Sequence, residues 1–374
     1  MEKEVFEELM KKIEEITSNM PKTNIMLVGK TGVGKSTLVN SIFRSEIAET
    51  GNGKPVTQHL QRIEREDVPI VLYDTKGLEL KEDVQQQIKD EIIDVIRQLQ
   101  LKGKEEEYVH AIWYCVNAQG HRFEETEKEL IDTLAESVDV PIIIVLTQYI
   151  DNKQSSEFKK TIDELNLNVI NIVPVMAKEF EVTSDFIYGT HGLDKLVEVT
   201  YQIIPESVRR SFLNAQKVNI EAKKRKAKRY ANAYIASTFV TGCIPIPGSD
   251  APFLVTQQVT MLAHITSIFG LSVDKAILST VVSALLGSGT ATLAGKFFVS
   301  NTLKLIPGVG SLIGGGISGV TATILTASLA KTYIFFMEKV CMEEGKEKTL
   351  ENQQMYEEVR QMFQNEISKK TKSV

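Results

Sequence analysis

The sequence predicts two architectures in one chain: an α/β domain with a mostly parallel sheet and helices on both faces, followed by an all-α helical domain. Three observations predict this. Strand-like and helix-like segments alternate from Thr23 to Ile204, a glycine-rich loop separates the first strand from its helix, and charge density collapses after residue 230. Alternation of this kind implies right-handed crossovers, which make successive strands parallel and send helices to both faces.

In order along the chain, residues 1–22 open with an amphipathic helix whose apolar stripe is Phe6, Leu9, Ile13 and Ile16. Thr23–Val28 is an apolar strand, and Val68–Asp74 is another that ends in polar residues. Val84–Leu101 repeats at helical spacing, whereas His110–Asn117 (Ile112, Trp113, Tyr114, Cys115, Val116) is continuously apolar and reads as a buried strand. A helix over Phe123–Ser137, a strand over Val140–Thr147, a helix over Phe158–Leu165, a strand over Val169–Val175 and a helix over Leu193–Ile204 complete a domain spanning 23–204. Residues 205–230 read as a basic linker helix and 231–340 as an apolar helical domain punctuated by Gly and Pro. A charged helical tail, 341–374, carries Met355, Val359 and Met362 at helical spacing.

Composition narrows the class. The 374 residues carry 43 Lys+Arg against 49 Asp+Glu, a net charge of −6, which argues against a surface given over to nucleic acid. Cys115, Cys243 and Cys341 are odd in number and far apart, so neither a disulfide framework nor a cysteine metal site is expected. The charged N-terminus has no apolar signal core, and a cytoplasmic location is expected.

The loop Gly29, Lys30, Thr31, Gly32, Val33, Gly34, Lys35, Ser36 fits G-x-x-x-x-G-K-[ST]. Each fixed position has a physical reason. Backbone amides of a tight glycine loop converge on phosphate oxygens, and side chains would block their approach. The helix starting near Lys35 aims its first amides, Ser36 and Thr37 among them, at the same anion. Lys35 is suited to the β/γ-phosphates and the Ser36 hydroxyl to Mg²⁺. Downstream, Asp74-Thr-Lys-Gly77 closes an apolar strand. A carboxylate there can hold Mg²⁺ through water, and the Gly77 amide can sense a γ-phosphate. Between these elements, Thr57 lies in a glycine-rich stretch (Gly51, Gly53). It is either a ligand that completes the Mg²⁺ shell in the triphosphate form or an ordinary loop threonine.

On Gly29–Ser36, Thr57 and Asp74–Gly77, the segment from Thr23 to Ile204 resembles the Era-like branch of the translation-factor-related P-loop GTPases. The resemblance implies GTP and GDP as ligands, Mg²⁺ as cofactor, and hydrolysis served by Lys35, Thr57 and Gly77. It also implies a base-reading [NT]-K-x-D element after the next buried strand. Here Thr147-Gln148 is followed by Asp151, one place later than the pattern. Met176-Ala177-Lys178 stands where relatives carry S-A-K, which assigns Ala177 and Lys178 to the base side. Guanine is favoured over adenine. Leu78 follows Gly77 where Ras-type proteins have a water-orienting glutamine, so slow intrinsic hydrolysis is expected. Arg122 is a candidate for an arginine acting across a homodimer of G domains, and also fits a solvated helix start.

Between Ala231 and Val340 only eight residues are charged: Asp250, Asp274, Lys275, Lys296, Lys304, Lys331, Glu338 and Lys339. The windows Ala276–Gly295 and Leu305–Ala330 carry no charge and reach the ~20 residues that cross a bilayer, but Ser, Thr and Gly dilute both. The basic run Lys223–Arg229 abuts the block and suits an anionic membrane surface. The block therefore reads as conditionally membrane-associated, with a soluble helical bundle as the alternative and constitutive spanning disfavoured. In outline the chain also resembles immunity-related and dynamin-like GTPases, which implies a self-assembling membrane GTPase as one alternative; a slow or inactive nucleotide-dependent scaffold with a protein partner is the other. An RNA partner is not expected, because no aromatic pattern accompanies the basic run.

Overall fold

The computed structural model describes residues 2–44, 47, 52–76, 82–183, 186–242, 250–270, 319–343 and 352–371. The chain divides into two compact units, Met20–Asn219 and a second made of Met1–Asn19 with Ile220–Val374.

The first unit is built on a seven-stranded sheet in the order β2-β3-β4-β1-β5-β6-β7. Its strands are β1 (Thr23–Val28), β2 (Asn52–Pro55), β3 (Leu60–Arg65), β4 (Val68–Thr75), β5 (Ala111–Asn117), β6 (Ile142–Thr147) and β7 (Asn171–Pro174). From β4 through β1 to β7 every pairing is parallel, while β2–β3 and β3–β4 are antiparallel. The parallel strands are apolar at nearly every position because both of their faces are covered.

Strand alternation splits β1 between two cores. Met26 and Val28 face a core closed by α3 (Glu82–Leu101), α4 (Glu125–Ser137) and α5 (Lys153–Glu164). Ile25 and Leu27 face the other, closed by α2 (Lys35–Ile42), α6 (Leu193–Ile203) and α7 (Glu206–Ala215). In that second core Trp113 stacks on Phe43 at 5.9 Å between centroids, and Phe212 meets Phe43 edge-on at 6.2 Å. The Trp113 indole N–H donates to the Thr200 hydroxyl at 3.1 Å, so its polar atom is satisfied inside the core.

Three features of this unit lie outside the sequence reading. Strand β3 (Leu-Gln-Arg-Ile-Glu-Arg) buries every third residue instead of alternating, which hid it from a period-2 search. Helix α5 begins at Lys153 because the Asn152 side chain accepts the Ser155 N–H at 2.9 Å, a local N-cap. Helix α7, expected in the basic linker, packs inside this unit through buried Val208, Phe212 and Ala215.

The second unit is helical: α1 (Glu2–Ser18), α8 (Ile220–Gly242), α9 (Asp250–Phe269), α10 (Gly319–Glu343) and α11 (Asn352–Thr371) among the described residues. Helices α8, α9 and α10 pack on one another, α1 packs on α9 and α11 on α10. Buried polar groups pair across the interior, with Thr266 Oγ1 and Tyr333 OH at 2.6 Å and Gln258 Nε2 donating to Thr326 Oγ1 at 3.1 Å. Among the described residues no helix is long and apolar enough to cross a membrane. The uncharged window Ala276–Gly295 lies outside the described residues, as does Leu305–Ala330 up to residue 318.

The basic run is partly spent internally. Lys223 is 1% exposed and donates to the Phe269 carbonyl at the end of α9, where a cation also complements the helix dipole. Lys226 is buried, and Lys224 pairs with Glu338 at 2.7 Å. Arg225, Lys228 and Arg229 are the exposed cations of the run.

Candidate nucleotide-binding site

The glycine-rich loop runs from the end of β1 to the first turn of α2. Gly29 has φ +149°, and a Cβ on it would stand 2.4 Å from the Cys115 carbonyl oxygen, so only glycine lets the loop pass this close to β5. Gly34 has φ +99° and is the N-cap of α2, with its carbonyl accepting the Leu38 N–H at 2.9 Å. Lys35 and Ser36 are therefore the first residues of that helix, where its unpaired amides and positive dipole end converge.

Lys35 is 8% exposed and donates to the Gly29 and Lys30 carbonyls at 2.7 and 3.1 Å. Its ammonium stands 3.9 Å from Asp74 Oδ1. Asp74 lies near the end of β4, next to β1, so the sheet itself brings the two elements together. Burial pushes the Asp74 carboxyl up from its ordinary range, against the pull of Lys35 and Lys76. Its Oδ1 is buried without a hydrogen-bond partner. An unpartnered buried carboxylate oxygen beside an ammonium and a helix N-terminus fits a hydrated divalent cation, and the exposed Ser36 hydroxyl would be the inner ligand.

Lys30 is held by Glu124 at 2.9 Å and by buried Glu127 at 3.8 Å. These two glutamates form the capping box of α4, in which Glu127 Oε2 accepts the Glu124 N–H at 2.9 Å, and burial pushes the Glu127 carboxyl up. The pairing links the loop to α4. Thr31, Gly32 and Thr37 present an exposed outer rim, while Val33 is buried.

Thr57 occupies the turn before β3. Its hydroxyl donates to Glu91 Oε2 on α3 and accepts the Leu60 N–H at 3.0 Å. Gly77 and Leu78 lie outside the described residues.

On the base side, the Thr147 hydroxyl bonds the Val33 carbonyl of the loop and the Val116 carbonyl of β5, the latter at 3.1 Å. Thr147 thus ties the glycine loop to β6. Gln148 has φ +53°, and its side-chain amide lies 3.8 Å from the place a Cβ would take on Gly34. Asp151 is exposed, and its N–H donates to the Tyr188 hydroxyl at 2.7 Å. Tyr188 ends the hairpin β8 (Phe180–Thr183) and β9 (Phe186–Tyr188). Ala177 is half-buried and Lys178 exposed, just after Met176, which bridges His191 through both backbone bonds at 3.0 and 3.1 Å. The His191 ring in turn meets the Tyr149 carbonyl at 2.9 Å. Arg122 is exposed on a cleft of about 810 Å³ between α4 and α5, lined also by His121, Glu125, Glu157 and Phe158.

Sequence reasoning missed Glu91, Tyr188, His191 and the glutamates on Lys30. Only the last had a local signal, a glutamate three residues after another at a helix start. The others act through tertiary contacts.

Residues 24–148 match the family described as 50S ribosome-binding GTPase. Among curated proteins, the chain is similar to Septin-12 of Homo sapiens, 27% identical over 186 residues that cover 42% of this chain and 51% of that one. It is also similar to GTPase Era of Streptomyces coelicolor, 28% identical over 190 residues covering 48% of this chain and 53% of that one. The chain spans about half the length of the curated relatives it matches. A solved structure of a probable GTP-binding protein engB aligns at 20% identity with a TM-score of 0.35, covering 48% of this chain and 98% of that one. Residues 24–148 are thus a P-loop GTPase domain, and the chain carries an additional helical region.

Proposed function

We propose that the chain binds guanine nucleotide with Mg²⁺ at Gly29–Thr37 and Asp74 and hydrolyses GTP to GDP slowly. In this reading, nucleotide state controls a helical region that associates conditionally with anionic membrane. The observation that carries the nucleotide reading is the convergence of the α2 N-terminus, the Lys35 ammonium and the unpartnered Asp74 oxygen. Mg²⁺ held by Ser36, by Asp74 through water, and by Thr57 in the triphosphate form would neutralise charge on the β- and γ-phosphate oxygens. The chain's own part is positional. Loop amides orient the phosphates, Lys35 leaves the Gly29 and Lys30 carbonyls to reach them, and Thr147 keeps the loop fixed to β6. Ala177, Lys178, Gln148 and Asp151 are assigned to the base side, and Gly77 to the γ-phosphate.

Support for the membrane part comes from exposed Arg225, Lys228 and Arg229 and from a groove of about 390 Å³ in the helical unit. It sets exposed Lys228 beside Ile235, Ile334 and Phe335, with Lys331 held by Glu366 at 2.8 Å, and a cation next to apolar surface is what an anionic lipid recognises. A cytoplasmic protein with peripheral attachment follows from this reading. Flotation on vesicles containing phosphatidylglycerol, with GDP and with a non-hydrolysable GTP analogue, tests it: nucleotide-dependent flotation is expected, and no binding in either state favours a soluble bundle.

A second reading, self-association through the GTPase domain, is favoured by exposed Phe180 and Ile187 on the β8–β9 hairpin. A single-turnover rate that climbs steeply with protein concentration supports it, and a flat rate counts against it.

A further inference from the structure

Glu91 stands on α3, the helix that follows the D-x-x-G strand, and holds the turn before β3 at several points. Its Oε2 accepts the Thr57 hydroxyl and, at 3.1 Å, the His59 backbone N–H. Its Oε1 lies 3.1 Å from His59 Nδ1. The same turn is closed on itself by Val56 N–H and Thr57 N–H, both donated to the Leu60 carbonyl at 2.8 and 3.2 Å. His59 in turn gives its carbonyl to the Lys76 N–H at 2.9 Å, just past the end of β4. One carboxylate therefore gathers residues 57–59 onto α3, and a backbone bond ties the same turn to the D-x-x-G segment.

A threonine hydroxyl has one proton, and here it goes to Glu91. Charge-assisted bonds of this kind are roughly twice as strong as neutral ones. Were Thr57 to join Mg²⁺ while still held, the Glu91 carboxylate would be carried toward the γ-phosphate, and like charges repel. Releasing Thr57 costs the bond, and keeping it costs the repulsion. Both act against the triphosphate and leave the diphosphate untouched. We infer that Glu91 is a positioning residue that holds Thr57 back and biases the site toward GDP, an inference that rests on the reading of Thr57 as a ligand of the triphosphate form.

The test uses the full chain and fluorescent GDP and GMPPNP, titrated with Mg²⁺ and with EDTA. Glu91→Ala is expected to raise the Mg²⁺-dependent GMPPNP/GDP affinity ratio by about tenfold, the worth of one charge-assisted hydrogen bond. Glu91→Gln, which keeps one acceptor oxygen, should recover part of the wild-type ratio. In a Thr57→Ala background the Glu91→Ala gain should vanish. A merely structural role would weaken both nucleotides alike and leave the ratio fixed. The inference is overturned if folded Glu91→Ala leaves the ratio unchanged or lowers it, or if the gain survives without Thr57. If Thr57→Ala alone leaves Mg²⁺-dependent GMPPNP binding at the wild-type level, the parent reading fails and this one with it. Circular dichroism melts establish that each variant is folded.

Discussion

The Tyr188 hydroxyl accepts the backbone N–H of Asp151 at 2.7 Å, so a hairpin inserted after β7 fixes the loop that carries the candidate base-reading carboxylate. Tyr188 also packs edge-on against His191, which meets the Tyr149 carbonyl. Two residues distant in sequence from the Thr147-Gln148 pair, Tyr188 and His191, thereby brace the loop that follows it. Tyr188→Phe removes one hydrogen bond, worth about 0.5–1.5 kcal/mol. GTP affinity is expected to fall roughly two- to tenfold with phosphate-loop binding of pyrophosphate unchanged. Equal losses for both ligands would place Tyr188 outside base recognition.

Asp151→Asn probes the carboxylate itself. Exchanging a double acceptor for an amide that offers a donor should shift preference from guanine toward xanthine nucleotides, by tenfold or more for a paired contact (about 1.4 kcal/mol). Competition between GTP and XTP reads this directly. An unmoved selectivity would show that the one-place displacement of Asp151 has taken it away from the base.

Lys35→Ala should abolish tight nucleotide binding. The lysine is the buried cation facing Asp74, and without it the buried carboxylate would meet a polyphosphate with one fewer cation beside it. Calorimetry with GTP and Mg²⁺ is expected to show no measurable heat. Retained tight affinity would remove the glycine loop as the phosphate site.

What could be read from the sequence follows from range. The loop Gly29–Ser36 and Asp74 were legible because strand, turn and helix signals are local, and the parallel pairing of β4 beside β1 then joins them. Strand β3 was not, since it is an antiparallel strand with burial at Leu60 and Ile63 only. The assignment of Thr57 to a mobile ligand could not foresee Glu91, which lies 34 residues away on another element. The basic run read as a surface feature, yet Lys223 lies on the interior face of α8 and its ammonium ends on a helix C-terminus. Charge counted along a sequence does not reveal which side of a helix is covered.

Phe43 closes α2, stacks on Trp113 and meets Phe212 edge-on, fully buried. Phe43→Ala leaves a cavity in the face that supports the phosphate loop, and deletions of this kind cost about 3–5 kcal/mol. For a unit of this size the thermal midpoint should fall by roughly 6–20 °C. GTP added in excess should recover part of that loss, because binding to the folded state stabilises it by mass action. A melting point within a degree or two of wild type would mean the aromatic stack contributes little.

Glu64 on β3 accepts from Arg62 and, at 3.0 Å, from Lys22, and the Arg62 guanidinium holds its carboxyl well down, to about 2. The unfolded chain takes up this proton near 4.5, so over the interval from about 4.5 to 2 the unfolded state binds more protons than the folded one. The contribution of Glu64 is therefore present at neutral pH and fades as pH falls through that interval. Glu64→Gln should cost about 1–2 kcal/mol at pH 7, less than the full linkage because the side chain is partly solvated. Urea denaturation at pH 7, 5 and 3 is expected to show the gap between wild type and variant narrowing as acid is added. A constant gap across the three values would mean that packing, not the charge held by Arg62 and Lys22, sets the effect of the substitution.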